Sequence, residues 1–168
     1  MIITKEKAMV NVYPIRYKSG KIEFLMIKRA TLSYNWQCVT GSVGDSMGAL
    51  DHPKNETPLE CAKRELFEET GYTPTLIISV NIPPESYIVT EEDVGEISPP
   101  HLQELMKEIN FYNFIACIDQ TQDPILNPLE HTEWKWCNFE TAYKLIMWAV
   151  EKKLLKFVRD FLMKNPFK

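Results

Sequence analysis

Residues 57–72 read TPLECAKRELFEETGY, and this segment carries both boundaries of a helix in its own sequence. Thr57, Pro58, Leu59 and Glu60 have the form of a capping box with proline at the first helical position. The Thr57 side chain can accept from the amide of Glu60, while the Glu60 carboxylate reaches back to the amide of Thr57. Pro58 loses nothing there, because the first N–H groups of a helix have no partner within it. Gly71 can adopt the left-handed conformation that ends a helix. The spacing therefore predicts a helix over Pro58 to Thr70, with Leu59, Ala62 and Leu66 as the stripe that packs on a sheet.

The polar side of this helix is costly. Glu65, Glu68 and Glu69 fall within an arc of roughly 100° at 3.6 residues per turn, at spacings that bring side chains together. At 4 Å two like charges repel by about 1 kcal/mol in water and about 4 at an effective dielectric of 20. Glu68 and Glu69 also stand at the negative end of the helix dipole. Arg64 can reach Glu68 at i,i+4 and Glu60 at i,i−4, which relieves only part of the repulsion. A hard divalent cation would relieve the rest, and magnesium prefers oxygen ligands shared with a phosphate substrate.

Around the helix, residues 10–17 (VNVYPIRY) and 22–30 (IEFLMIKRA) read as two strands of a hairpin joined through SGK. WQCVTGSV (Trp36 to Val43) reads as one short strand. After the helix, TLIISVNI, NFYNFIACID and EWKWCNF read as strands. The polar, proline-punctuated stretch 83–108 reads as a loop with one short helix near His101 to Glu108. From Glu140 to Met163, Tyr143, Ile146, Val150, Leu154, Phe157 and Phe161 recur near helical spacing, which predicts one long amphipathic helix used for core packing. The order implies an α/β fold with helices on both sides of a mixed sheet. The 168 residues are expected to form a single domain, 1–168.

Composition bounds the function. A formal net charge of −4 argues against an electrostatic grip on a nucleic-acid backbone. It leaves room for a phosphate substrate where a metal reverses the local sign. The N-terminal residues have neither a long apolar run nor a small-residue cleavage site, and no stretch approaches a membrane span. A cytoplasmic protein without a membrane partner is expected, as a monomer or homodimer. Cys38, Cys61, Cys117 and Cys137 are widely spaced and are expected to be free thiols.

The segment from Glu56 to Tyr72 resembles the signature of the Nudix hydrolases. That pattern is a Gly, five residues, a Glu, seven residues, then Arg-Glu-apolar-x-Glu-Glu-x-Gly-apolar. Glu56, the seven residues TPLECAK, Arg64, Glu65, Leu66, Glu68, Glu69, Gly71 and Tyr72 fill it from the first Glu onward. The departure is upstream: fourteen residues, Ser42 to Asn55, separate Gly41 from Glu56, so the loop carries nine extra residues. Such an insertion costs little entropy. WQCVTGS and LEHTEWKWCNFETA are similar to segments flanking the signature in the subgroup of dihydroneopterin triphosphate and dATP pyrophosphohydrolases.

The resemblance implies a Nudix-type α/β/α sandwich and hydrolysis of a diphosphate bond in a nucleoside-like triphosphate, a small-molecule polyphosphate. It implies magnesium, with manganese as a substitute. Glu65, Glu68, Glu69 and Glu130 are the implied metal ligands. Glu68, Glu69 and Glu130 are the candidate bases, and Arg64 orients them with Glu56 as a second partner. Arg29 is a candidate phosphate contact. Trp36 and Gln37 are candidates to face the substrate ring, and Gly41 belongs to the substrate mouth. His131 and His52 are given structural and solvated roles. Two alternatives stand beside this reading: hydrolysis of dinucleoside polyphosphates or nucleotide sugars, and a nucleotide sensor without catalysis. A sensor would be expected to have lost signature glutamates, and none is missing.

Overall fold

The computed structural model describes residues 6–31, 35–88 and 107–167. Two long strands, β1 (Lys7–Lys18) and β2 (Lys21–Arg29), form the predicted hairpin. Ser19 and Gly20, at φ 51° and 73°, close it with the two-residue turn whose twist matches that of the strands. The segment read as one strand from Trp36 divides into β3 (Trp36–Gln37), paired with β2, and β4 (Val39–Ser42), paired with β1. The chain changes partner at Cys38. Next come helix α1 (Pro58–Thr70), β5 (Leu76–Val80), a 3₁₀ turn at Pro84–Tyr87, β6 (Ile109–Cys117) and β7 (His131–Cys137). The sheet order is β3-β2-β1-β6-β5, with β4 also on β1 and β7 also on β2. β1 and β6 run parallel and the other pairs antiparallel, so the sheet is mixed as expected.

The central strands are apolar on both faces, and their period of two splits the core. Val10, Val12, Leu25, Ile27, Phe114 and Ala116 meet Cys61, Ala62 and Leu66 of α1. Tyr13, Ile15, Phe24, Met26 and Ile115 meet the C-terminal helices on the other face. This is the predicted layering of helices about a sheet.

The C-terminal segment departs from its prediction. It forms two helices, α2 (Phe139–Leu145) and α3 (Ala149–Lys164), separated at Ile146 to Trp148 by extended backbone. Ala142, Ile146, Val150 and Leu154 all enter one core cluster, so the apolar period continues across a break that it does not mark. The short helix expected near His101 to Glu108 falls almost wholly outside the described residues. Among the described residues no helix is long and apolar enough to cross a membrane. All four cysteines are free thiols, as their spacing predicts.

Candidate active site

α1 begins and ends where its sequence says. The Thr57 hydroxyl accepts from the Glu60 amide at 3.2 Å, the Thr57 amide donates to Glu60 Oε2 at 2.8 Å, and Gly71 stands at φ 74°. The buried face differs from the prediction. Leu59, in the first turn, is 41% exposed, whereas Cys61, Ala62, Glu65, Leu66, Glu69 and Thr70 are buried. Two i,i+4 columns, Cys61–Glu65–Glu69 and Ala62–Leu66–Thr70, therefore face the sheet. Glu65 and Glu69 thus lie in the packed face and not on a polar side of the helix.

Gly41 makes that burial sterically feasible. A Cβ built at Gly41 would lie 2.0 Å from the Glu65 carboxyl carbon, well inside any contact distance. Gly41 thus lets β4 pass directly under Glu65. The Gly41→Ala variant is expected to fold but to displace the Glu65 carboxylate. Its kcat should fall by about tenfold or more while its circular dichroism spectrum is kept.

Arg64 is the hub on the other side of Glu65. Its Nε and Nη2 donate to Glu56 Oε1 and Oε2 at 2.6 and 3.0 Å, a two-pronged ion pair. Nη1 donates to Glu65 Oε1 at 2.8 Å and to Glu68 Oε2 at 3.0 Å. Glu60, the other expected partner, is taken by the helix cap. Burial opposes ionisation of Glu56, but the Arg64 guanidinium and the Gly44 amide, which donates to Oε2 at 2.7 Å, hold its carboxyl below the usual range. The Arg64 pKa is raised by Glu56 and Glu65, so the guanidinium is a fixed charge.

The inserted loop joins this hub. His52 Nδ1 lies 3.0 Å from the Gly44 carbonyl and 3.2 Å from Ser42 Oγ. The imidazole ties the two ends of the loop together, in place of the solvated role its position suggests.

Glu65 and Glu69 both bind protons more tightly than ordinary carboxyls. Burial is the main cause at Glu65, eased by Arg64. Burial, then Glu65, then Glu130 push Glu69 up to about 9, against the Thr40 backbone and Arg29. Glu69 Oε2 is buried without a hydrogen-bond partner among the described residues. Arg29 closes the end of β2, where its charge bears on Glu69 and His131. Trp36 is half-buried against the core on the α3 side, with the Lys28 ammonium 5.9 Å from its ring centre. Gln37 is 5% exposed, and its amide nitrogen stands 3.4 Å from His131 Nε2.

Glu130 stands on the same side of the sheet as Glu69. Oxygens of Glu69 and Glu130 and a ring nitrogen of His131 all lie within 4.8 Å of one another. His131 was not expected in this group. Neighbours along a strand point to opposite faces, but Glu130 sits in the turn before β7, and the β2–β7 ladder is irregular at Lys28/Arg29, opposite His131. Burial, then Arg29, push His131 down to about 4, so the ring is neutral near pH 7. The donors fit a divalent cation: a buried carboxylate with a bare oxygen, an exposed carboxylate beside it, and Glu65 one turn back along α1.

The NUDIX domain model matches residues 6–160. The chain belongs to the NUDIX family. It is 25% identical over 138 residues to an RNA pyrophosphohydrolase of Bartonella bacilliformis, covering 79% of this chain and 74% of that one. It is 26% identical over 147 residues to an asymmetrical bis(5'-nucleosyl)-tetraphosphatase of Caenorhabditis elegans, covering 88% and 90%. Among solved structures, a C. elegans Ap4A hydrolase binary complex superposes with TM-score 0.65 at 24% identity, over 94% of this chain and 98% of that one. The Escherichia coli dihydroneopterin triphosphate pyrophosphohydrolase superposes with TM-score 0.56 at 18% identity, over 91% and 95%. The subgroup suggested by WQCVTGS is thus among the structural neighbours of this Nudix chain, and the Ap4A hydrolase resembles it more.

Proposed function

We propose that this Nudix chain hydrolyses a phosphoanhydride bond of a nucleoside polyphosphate with the help of a divalent cation. The observation that carries this reading is the bare, buried oxygen of Glu69 beside Glu130, with Glu65 behind it and the Arg29 charge facing it. Carboxyls crowded and buried in this way without a cation are a cost with no structural return. Glu69, Glu130 and Glu65 would hold magnesium or manganese, and Glu68 stands exposed at the rim. A bound dication would offset phosphate charge and lower the pKa of a coordinated water.

The residues of the chain do the positioning. Arg64 and Glu56 lock Glu65 in place over Gly41. Arg29 holds a phosphate oxygen of the substrate. Glu68 and Glu130 are the carboxylates that solvent reaches, and one of them takes the proton of the attacking water. Phosphoryl transfer of this kind is largely positioning and charge neutralisation.

Similarity to the tetraphosphatase moves a dinucleoside polyphosphate ahead of a pterin triphosphate or dATP as substrate. The test is product analysis across diadenosine tetraphosphate, dATP, dihydroneopterin triphosphate, a nucleotide sugar and 5'-triphosphorylated RNA, with and without magnesium. Magnesium-dependent turnover is expected, fastest on diadenosine tetraphosphate. Binding of nucleotides with no turnover would establish the sensor reading instead.

A further inference from the structure

His131 is more buried than a liganding role requires of a surface histidine, with only 3% of its surface exposed. Its Nδ1 is buried and has no hydrogen-bond partner among the described residues. Its Nε2 stands 3.4 Å from the Gln37 amide nitrogen, which can only donate, so in this contact Nε2 must accept. In that arrangement Nδ1 carries the proton and donates to nothing. If the Gln37 amide is turned about, its carbonyl accepts from Nε2–H and Nδ1 presents a lone pair. The second arrangement is the one found behind metal-binding imidazoles, where a second ring nitrogen donates to a fixed oxygen. A purely structural histidine buried this deeply is expected to have both ring nitrogens hydrogen-bonded.

We propose that His131 is a nitrogen ligand of a divalent cation held with Glu69 and Glu130, and that this site favours manganese or cobalt over magnesium. The inference rests on the metal-dependent reading above. The geometry supporting it is the convergence of two carboxylates and an imidazole within 4.8 Å, with bare atoms on both Glu69 and His131. An all-oxygen site suits magnesium. Replacing one oxygen by imidazole nitrogen shifts preference toward the transition metals. Gln37 then acts as a positioning residue that selects the tautomer.

Electron spin echo spectroscopy of bound Mn²⁺ reads a directly coordinated nitrogen. The wild-type protein is expected to show ¹⁴N modulation, changing to the ¹⁵N pattern when histidine is isotope-labelled. The chain has three histidines, His52, His101 and His131. A double variant, His52→Gln with His101→Gln, leaves Glu69, Glu130 and His131 themselves unaltered; it should keep the signal and so assign it to His131. His131→Gln should abolish it, with Co²⁺ affinity falling by about tenfold or more and Mg²⁺ affinity changing far less. Bound manganese without nitrogen coupling, alongside normal magnesium-dependent hydrolysis, overturns the inference and leaves the proposed function standing. Failure to bind any divalent cation, with no hydrolysis, overturns both.

Discussion

Replacing Glu69 by glutamine is expected to abolish turnover, by several orders of magnitude, while making the metal-free protein more stable. The two effects share one cause. Glu69 is buried beside Glu65 and Glu130, and its carboxyl has a folded-state pKa near 9. A group whose folded pKa is raised binds more protons in the native state than in the unfolded one. Its favourable contribution is complete below the unfolded value, near 4.5, and is lost as pH rises through the folded value. Metal-free wild-type protein should therefore lose stability between about pH 5 and pH 9. Glutamine is neutral at every pH and should flatten that slope. At pH 8 the variant is expected to melt about 3 °C or more above wild type, each kcal/mol being worth about 2–4 °C in a chain of this size. Added magnesium reverses the comparison, because only the carboxylate gains from it. Thermal melts at pH 5 and pH 8, with and without magnesium, check all four expectations. A variant with full activity, or a wild-type melting temperature insensitive to both pH and magnesium, would refute the assignment.

Arg64→Ala is expected to be the most destabilising single change at the site. Arg64 is the common partner of Glu56, Glu65 and Glu68. The Glu56 side chain is only 2% exposed. Removing one member of a buried ion pair leaves the other without compensation, typically at about 3–5 kcal/mol. That corresponds to roughly 10 °C in melting temperature. Lysine should rescue little, because a single ammonium cannot reproduce the fork that spans both Glu56 oxygens. The pH dependence has the opposite sign to that of Glu69. The depressed Glu56 carboxyl adds stability above its unfolded value near 4.5, and this is lost as pH falls through the folded one. In Arg64→Ala that contribution vanishes, so the gap between variant and wild type should narrow toward acid. Chemical denaturation at pH 4 and pH 7 measures it. Equal gaps at both pH values would mean that the ion pair is not the source of the loss.

Helix α1 is legible to the residue because steric instructions stand at both of its ends, a proline with a capping box at one and a glycine at the other. The strands are legible to within a few residues, because runs of β-branched and aromatic side chains have few other uses. The break between α2 and α3 is not. No proline or glycine marks it, and both segments feed one apolar cluster, so the periodicity runs through. At the site, the charge of Glu65, Glu68 and Glu69 can be read from sequence, but the depth at which it sits cannot. That depth depends on Gly41, distant in the chain, leaving a gap where a side chain would stand. The proximity of Glu130 to Glu69 enters only through family resemblance, since it depends on how β7 docks on β2. His131 is visible in the sequence beside Glu130, but there it reads as structural; that its ring nitrogen also comes within 4.8 Å of a Glu69 oxygen depends on the irregular start of the β2–β7 ladder.

The tether between the Gly44 amide and Glu56, reinforced by His52, has an engineering consequence. It pins both ends of residues 45–55 to the Arg64 cluster, so that this stretch is a closed side-branch rather than a span under tension. Chain length there is uncoupled from catalytic geometry. A reporter peptide or affinity handle grafted near Leu50, which is 95% exposed, would hang from the molecule without loosening the carboxylates beneath.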